Sequence, residues 1–548
     1  MFAALCVALV ALNPLTYALH EVSGGLFPDS VAYLAWGKAW LASGALYLDG
    51  WSHVDAGLIL PPLYPALVAL LGQLSGDPMA MSYAVSTAAL LLTTVALLYL
   101  GWRLAGPVPA FAAVAVVQAH PLVLDFGAAA LTEGTFVLLL AMASCLLLSH
   151  VDRPRAWKAL ALGAAAALLF FCRQIGAFYL PLVVVVLALR AWPDTAPGRR
   201  HRRLAPALLA TIACAVLVVP YAIALHAQTG QLPHTQLFRH LHYVVQSPAG
   251  FAPPPSGPMD YYAERRERRQ LLPDASELVA WAVTPPTGAA PRTPIERLVA
   301  ATGNVPAFAT GNLSLLRQSL GVPGVALLVL TSLSPLLRRG HGPGQWARWL
   351  LPGTVLAYLG VLSLVTGGAI VRYVHVIVPF ALVQVFAEAA WLLRRLPAHT
   401  PRLLPHVVTA ALASLLIATL PQRSWAAPLS PRIGEAGNPL EACRADVPAG
   451  APIYAFHPLG AYLLGGTYRI IPNDTLDRVV TYAERTGVRH MLLTVLPLER
   501  GEMSYYNHSP WIPALLQLDR HDPRIKVQCR TDDGVAVLYS LAPPAPRD

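Results

Sequence analysis

The chain has 548 residues, 55% of them hydrophobic and 12% charged, with a formal net charge of +10 and a mean hydropathy of +0.52. A soluble globular chain carries about 25% charged residues, so this composition excludes one and indicates a polytopic membrane protein. The Lys and Arg cluster in short joins between apolar runs, as cytoplasmic loops do, and therefore argue for no nucleic-acid partner.

The first apolar run, 2–19, has neither a basic leading region nor a small-residue cleavage site, and reads as a retained span. The loop that follows, 20–78, opens LFPDSVAYLAWGKAWLASGALYLDGW. Pro28 suits the start of a helix, and Asp29 then falls in the first turn, where a carboxylate complements the helix dipole. Asp29, Tyr33, Trp36 and Trp40 recur at helical spacing, so one face carries an acid and three aromatics. Trp and Tyr favour the lipid–water interface, which predicts a helix lying along the membrane. Pro61-Pro62-Leu63-Tyr64-Pro65 and the apolar residues after it are too short to span, and predict a second in-plane or re-entrant helix. Asp29 fits a helix-terminal charge and a catalytic carboxylate equally well from composition alone, and Asp49, His53 and Asp55 read as solvated loop residues.

Runs of membrane length recur near 79–102, 107–124, 128–149, 157–172, 175–191, 204–226, 321–338, 347–367, 371–394 and 403–421, which with the first predicts about eleven transmembrane helices. If residue 1 is cytoplasmic, the cytoplasmic joins read GWRLAGP, HVDRPRAWK, RAWPDTAPGRRHRR, RRGHGPGQWAR and RRLPAHTPR, all basic. A full span at Pro62–Leu74 would invert them. The outward segments are then 120–133, with His120, Asp125 and Glu133, a long loop at 227–320 containing the charged run 264–269, and the C-terminus. Residues 1–421 thus form the membrane domain, and 422–548, of soluble composition, a small extracytoplasmic α/β domain. In it PIYAF, RHMLLTV, IKVQC and VAVLYSL read as strands, with LDRVVTYAER as a helix between them. The fold class is mostly α with that α/β appendage. Cys6, Cys145, Cys172 and Cys214 lie in apolar runs as packing residues, whereas Cys443 and Cys529 are able to pair if their region faces an oxidising compartment.

Ionisable groups in or beside spans are costly and so are functional candidates. Glu133, in A-L-T-E-G-T-F, fits a second carboxylate or a dipole partner with Thr132 as helix cap. Arg173, in F-F-C-R-Q-I-G, interrupts two apolar runs, and Arg372 stands beside Tyr373 and His375. Guanidinium groups match phosphate oxygens, though interfacial arginines also meet ordinary headgroups. His120 before Pro121 fits a span-end cap or an anion contact; one His is no metal site.

An acid in the first outer loop (D-S-x-x-Y) followed by P-P-L-Y, with T-E-G, R-Q-I-G and a late R-Y-x-x-x-x-x-P, resembles the C-type, polyprenyl-phosphate-sugar-dependent integral membrane glycosyltransferases. These include the protein O-mannosyltransferases and the lipid A aminoarabinose transferase. The resemblance implies Asp29 as the base toward an acceptor hydroxyl, with Glu133 supporting it. Arg173, Arg372 and Tyr373 fall near the lipid-phosphate end of the cavity, and Tyr33, Tyr64 and His120 become substrate-contact candidates. Many members have Asp-Glu where this chain has Asp29-Ser30, and Lys where it has Leu60. The second departure points away from the aminoarabinose and protein-mannose branches.

The function implied is an inverting transfer of a sugar from a polyprenyl-phosphate donor on the outer face of the inner (plasma) membrane, with membrane lipid as a further partner. The acceptor is open among protein, lipid and glycan. No cofactor is required and a divalent cation is possible, because a lipid monophosphate leaves with less charge than a nucleotide diphosphate. The alternative is a transporter or flippase of lipid-linked or small substrates; a non-catalytic assembly factor is a third reading.

Overall fold

A computed structural model describes residues 28–48, 60–191, 197–229, 294–333, 343–365, 371–397, 403–420, 440–455, 458–471, 476–494, 522–531 and 536–541, with a few single positions besides. The run 2–19 (apart from four positions), Asp49, His53, Asp55 and the charged run 264–269 lie outside the described residues. The chain divides into two units. The first comprises Met1–Gly24, Pro61–Ser247 and Pro294–Ala427, and the second Gly25–Leu60, Pro248–Thr293 and Pro428–Asp548.

The first unit is helical. Among the described residues, five helices are long and apolar enough to cross a membrane: Pro78–Ala105, Thr132–Asp152, Leu204–Thr229, Ala309–Leu333 and His375–Leu393. The chain is a multi-pass membrane protein. The expected count of eleven is not reached by length, since Leu63–Ser75, Ala156–Cys172, Gln174–Ala188, Trp349–Ser363 and Leu404–Thr419 are apolar but shorter. The run expected as one span at 107–124 is instead two helices, Pro107–Gln118 and Pro121–Ala128, bent by 68°. Pro121 explains the break: it disfavours helical backbone at the residue before it, and His120 is extended at φ −84, ψ 112.

Local chemistry sets these helix ends. Asp77 caps Pro78–Ala105 by accepting from the Ala80 N–H at 2.9 Å. Where Thr132–Asp152 ends, the Lys158 ammonium donates to the Ser149 carbonyl and hydroxyl, each at 2.7 Å, and to the Arg153 carbonyl at 3.1 Å. The Ser149 carbonyl also accepts the Arg153 N–H at 3.1 Å, so the cation adds a charge-assisted bond at the negative end of the helix dipole. The Pro78–Ala105 and Thr132–Asp152 helices pack together, as do Ala156–Cys172 and Pro197–Thr229. Their facing residues join one apolar core containing Leu97, Phe136, Leu140, Tyr358, Phe380 and Phe386.

The second unit is built on a five-stranded sheet in the order β2-β1-β3-β5-β4. Its strands are β1 Pro452–Ala455, β2 Thr467–Ile470, β3 His490–Thr494, β4 Ile525–Arg530 and β5 Ala536–Leu541. β1 is parallel to both β2 and β3, while β5 runs antiparallel to β3 and β4. The four strands and the Leu476–Thr486 helix expected from sequence are present; β2 was not expected. Alternation along the strands divides the core. Tyr454, Met491, Leu493, Val537 and Tyr539 pack with Val479, Val480 and Ala483 of the Leu476–Thr486 helix. Ile453, Ala455, Leu492 and Leu538 pack with Cys443, Ala461 and Leu464 in the second layer.

The first-loop helix forms over Pro28–Ser43 with Asp29 in its first turn, as expected. On its aromatic face Tyr33 is buried, Trp36 is 0% exposed, Trp40 is half-buried, and the Trp36 and Trp40 rings stack at 6.0 Å. The helix packs on the short helix Pro458–Leu463 within the second unit.

Cys443 and Cys529 form a disulfide that closes a loop of 86 residues. A cross-link over that separation removes much unfolded-chain entropy, and its loss costs about 2–5 kcal/mol. Cys529→Ser, or reduction of the wild type, is therefore expected to lower the unfolding temperature of the C-terminal region clearly. Differential scanning calorimetry with and without reductant measures this, and coincident transitions would refute it.

Candidate functional site

The Thr132–Asp152 helix starts from Leu131 in extended backbone, with no side-chain cap. Thr132 is not the cap its position predicted. Its hydroxyl accepts a hydrogen bond from Arg173 Nη1 at 2.9 Å and donates to Glu133 Oε2 at 3.3 Å. Arg173 reaches this point because the Ala156–Cys172 helix ends at it with φ −151, ψ 134, before a 3-10 turn over Gln174–Phe178. Its Nη1 pairs with Glu133 Oε1 at 2.5 Å, the carboxylate side chain being 0% and the arginine side chain 12% exposed. The Tyr373 ring covers the guanidinium at 4.9 Å. Tyr373 is held in turn, because its carbonyl accepts from the Tyr358 hydroxyl at 2.8 Å.

The glycines of T-E-G and R-Q-I-G permit this approach. A Cβ on Gly134 would lie 2.7 Å from the Gly127 carbonyl oxygen, and one on Gly176 only 2.4 Å from that of Leu169. Backbone cannot yield as a side chain does, so both positions require glycine.

Tyr64, of P-P-L-Y, is fully buried. Its hydroxyl meets the Ser82 carbonyl and the Ser86 hydroxyl, each at 3.1 Å, and Ser86 donates to the Leu131 carbonyl at 3.3 Å. Tyr64 therefore braces the residue from which the Glu133 helix begins.

His120 Nε2 lies 2.8 Å from the Ser319 carbonyl. The helix is broken two residues later at Gly321 (φ 70, ψ 169), and residue 323, which would donate to that carbonyl in an unbroken helix, is Pro323 and has no N–H. A carbonyl only accepts, so Nε2 carries the proton and His120 replaces the missing donor. The Phe126 and His375 rings meet at 4.7 Å.

The structure thus brings Glu133, Arg173 and Tyr373 together, with Tyr64 linked through Ser86 to Leu131, two residues before Glu133. His120 is engaged with Ser319. Arg372 lies in the short helix Val371–Val374, its side chain outside the described ones. Asp29 and Tyr33 belong to the second unit. Sequence reasoning missed Tyr358 and Ser86, for which no local pattern exists, and Ser319, which Pro323 marked as a carbonyl in need of a donor. Among the described residues no group of three His, Cys, Asp or Glu is placed to hold a metal.

Removing one partner of a buried ion pair strands the other charge and costs about 3–5 kcal/mol. Arg173→Met is therefore expected to destabilise the first unit strongly, and the double variant Arg173→Met with Glu133→Leu much less. Thermal unfolding in detergent across this cycle tests the pair; equal losses for single and double variants would show that the two residues do not act together.

Residues 60–223 match the dolichyl-phosphate-mannose-protein mannosyltransferase family. The matched segment holds Tyr64, Glu133 and Arg173, and it includes Leu60, so that departure does not remove the segment from the family pattern. No curated protein matches the chain by sequence. Among solved structures, the Archaeoglobus fulgidus oligosaccharyltransferase AglB, in complex with an inhibitory peptide and a dolichol-phosphate, aligns with a TM-score of 0.56 at 10% identity, over 91% of this chain and 70% of that one. The apo form of the Archaeoglobus fulgidus oligosaccharyltransferase gives 0.53 at 11% identity, with the same shares covered. ArnT of Cupriavidus metallidurans bound to undecaprenyl phosphate gives 0.41 at 13% identity, over 98% of this chain and 99% of that one. The chain therefore has a fold like that of the archaeal oligosaccharyltransferase, and nearly a third of its length carries the pattern of the mannosyltransferase family.

Proposed function

We propose that the protein is an inverting glycosyltransferase that moves a sugar from a polyprenyl-phosphate donor to an acceptor hydroxyl outside the cytoplasm. The observation that carries this reading is the buried Glu133–Arg173 pair under Tyr373, inside the segment that matches the mannosyltransferase family. Glu133 is wholly enclosed and Arg173 partly open, so an approaching anion meets the cation of the pair and not its carboxylate. Glu133 and Thr132 fix the guanidinium before any ligand arrives, and a preorganised donor suits a leaving phosphate whose charge grows in the transition state. Arg372 and Tyr373 serve the same end of the reaction, with Tyr64 and His120 maintaining the helices that carry it.

The matched family is named for dolichyl-phosphate-mannose, and one structural neighbour is in complex with dolichol-phosphate; both favour a lipid-phosphate donor. On the acceptor side Asp29 takes the hydroxyl proton, with Tyr33 on the same helix as an acceptor contact. The acceptor oxygen then bonds to the anomeric carbon, the bond from that carbon to the phosphate oxygen breaks, and the polyprenyl phosphate leaves with the electron pair. The Cys443–Cys529 pairing and the basic joins between spans support an extracytoplasmic C-terminal region and a plasma-membrane location.

Proton transfer by a positioned carboxylate contributes about 10²–10⁴-fold, so Asp29→Asn is expected to lose transfer by that factor at matched expression. Membranes supplied with a panel of radiolabelled polyprenyl-phosphate sugars provide the assay. Equal transfer by wild type and variant would remove Asp29 from the mechanism.

A further inference from the structure

The helix that carries Asp29 lies at the opposite end of the sequence from the sheet, yet it belongs to the same unit. It packs on Pro458–Leu463, the helix that follows β1, and buries Ser30, Val31, Ala32, Tyr33 and Trp36. Pro458–Leu463 rests in turn on β1 and β2. Ala461 and Leu464 share their apolar layer with Ile453, Leu492 and Leu538, and with Cys443 of the disulfide. The fit between that helix and the sheet has no slack at Gly460, where an added Cβ would come within 2.4 Å of Leu492 Cδ2. Leu492 is itself buried in the middle of β3, so it has little room to yield.

We propose that the C-terminal α/β domain is the mount that sets the position of Asp29: the sheet seats Pro458–Leu463 through Gly460, and that helix seats Pro28–Ser43. Gly460 is then a positioning residue, and the domain acts on turnover without touching the donor. The inference rests on the reading of Asp29 as the base.

The test uses the full-length protein in lipid nanodiscs, with Gly460→Ala, Leu492→Val and the double variant, which conserves the number of carbons at the contact. Hydrogen–deuterium exchange over residues 31–41 reports the seating of the helix independently of activity, and transfer kinetics report kcat and donor KM. Gly460→Ala is expected to speed exchange over 31–41 by on the order of tenfold, with the Pro78–Ala105 helix unchanged. It should lower kcat by about 10²-fold, the cost of a small misplacement of a catalytic group, while donor KM stays as in the wild type. The double variant should recover both. Should Gly460→Ala not accumulate, Ala461→Gly removes a buried methyl from the same layer and is read in the same way. Unchanged exchange over 31–41 would overturn the mount. Faster exchange with undiminished turnover would overturn the positioning role, and Asp29→Asn then decides whether the base assignment falls with it: loss of transfer in that variant keeps Asp29, and full transfer removes it.

Discussion

A carboxylate with no exposure, inside a chain this apolar, persists only if a cation reaches it, and in the first unit that requirement organises the elements around Glu133. Arg173 must arrive at the right height, so the Ala156–Cys172 helix has to stop where it does and leave Arg173 extended. Gly176 lets the next turn fold back onto Leu169, and Gly134 lets Thr132–Asp152 start against the Gly127 carbonyl. Tyr373 and Tyr358 close the other side. The pair is weak evidence for stability, because ions are expensive to desolvate. It is better evidence for a site, since an apolar pair of the same volume would pack at no such cost.

A second consequence concerns charge. Arg173 alone would attract any anionic headgroup, whereas Arg173 neutralised by an enclosed Glu133 presents a cation of fixed orientation and reduced net field. Discrimination then falls to shape and to hydrogen-bond geometry more than to long-range attraction. His120 shows the same economy. It donates to the Ser319 carbonyl beside the break at Gly321 and ties the 120–121 break to a distant helix.

Legibility in the sequence followed the range of the interaction responsible. The strands at Pro452, His490, Ile525 and Ala536 were readable because alternation is a local property, and the Pro28 start with Asp29 in the first turn was equally local. β2 was not: TYRI is four residues long and becomes a strand only by pairing with β1. The break at His120 was written in Pro121, but a continuous apolar run concealed it. Pro28–Ser43 packs on a helix more than four hundred positions later, Pro458–Leu463, and no window on the sequence connects the two. Of the candidate site, Glu133, Arg173 and Tyr373 were found separately as costly or aromatic residues near span ends. Their meeting was not legible, because helix ends far apart in sequence meet only through packing.

The two readings of Asp29 differ in magnitude more than in kind, and magnitude can separate them. As a partner for the dipole of Pro28–Ser43 it is worth about 0.3–1 kcal/mol, and that term acts on folding of the helix, not on a reaction rate. Asp29 sits inside the first turn, so replacing the carboxylate by its amide removes that charge term and costs the helix no more than about 0.3–1 kcal/mol. A base loses its function entirely in the same substitution, because an amide does not accept the proton, and a loss of 10²-fold in rate corresponds to about 2.7 kcal/mol of transition-state stabilisation. That gap exceeds the whole dipole contribution. The amide variant therefore weighs chemistry against helix formation in one residue, which alanine, lacking both the charge and the polar group, would not do.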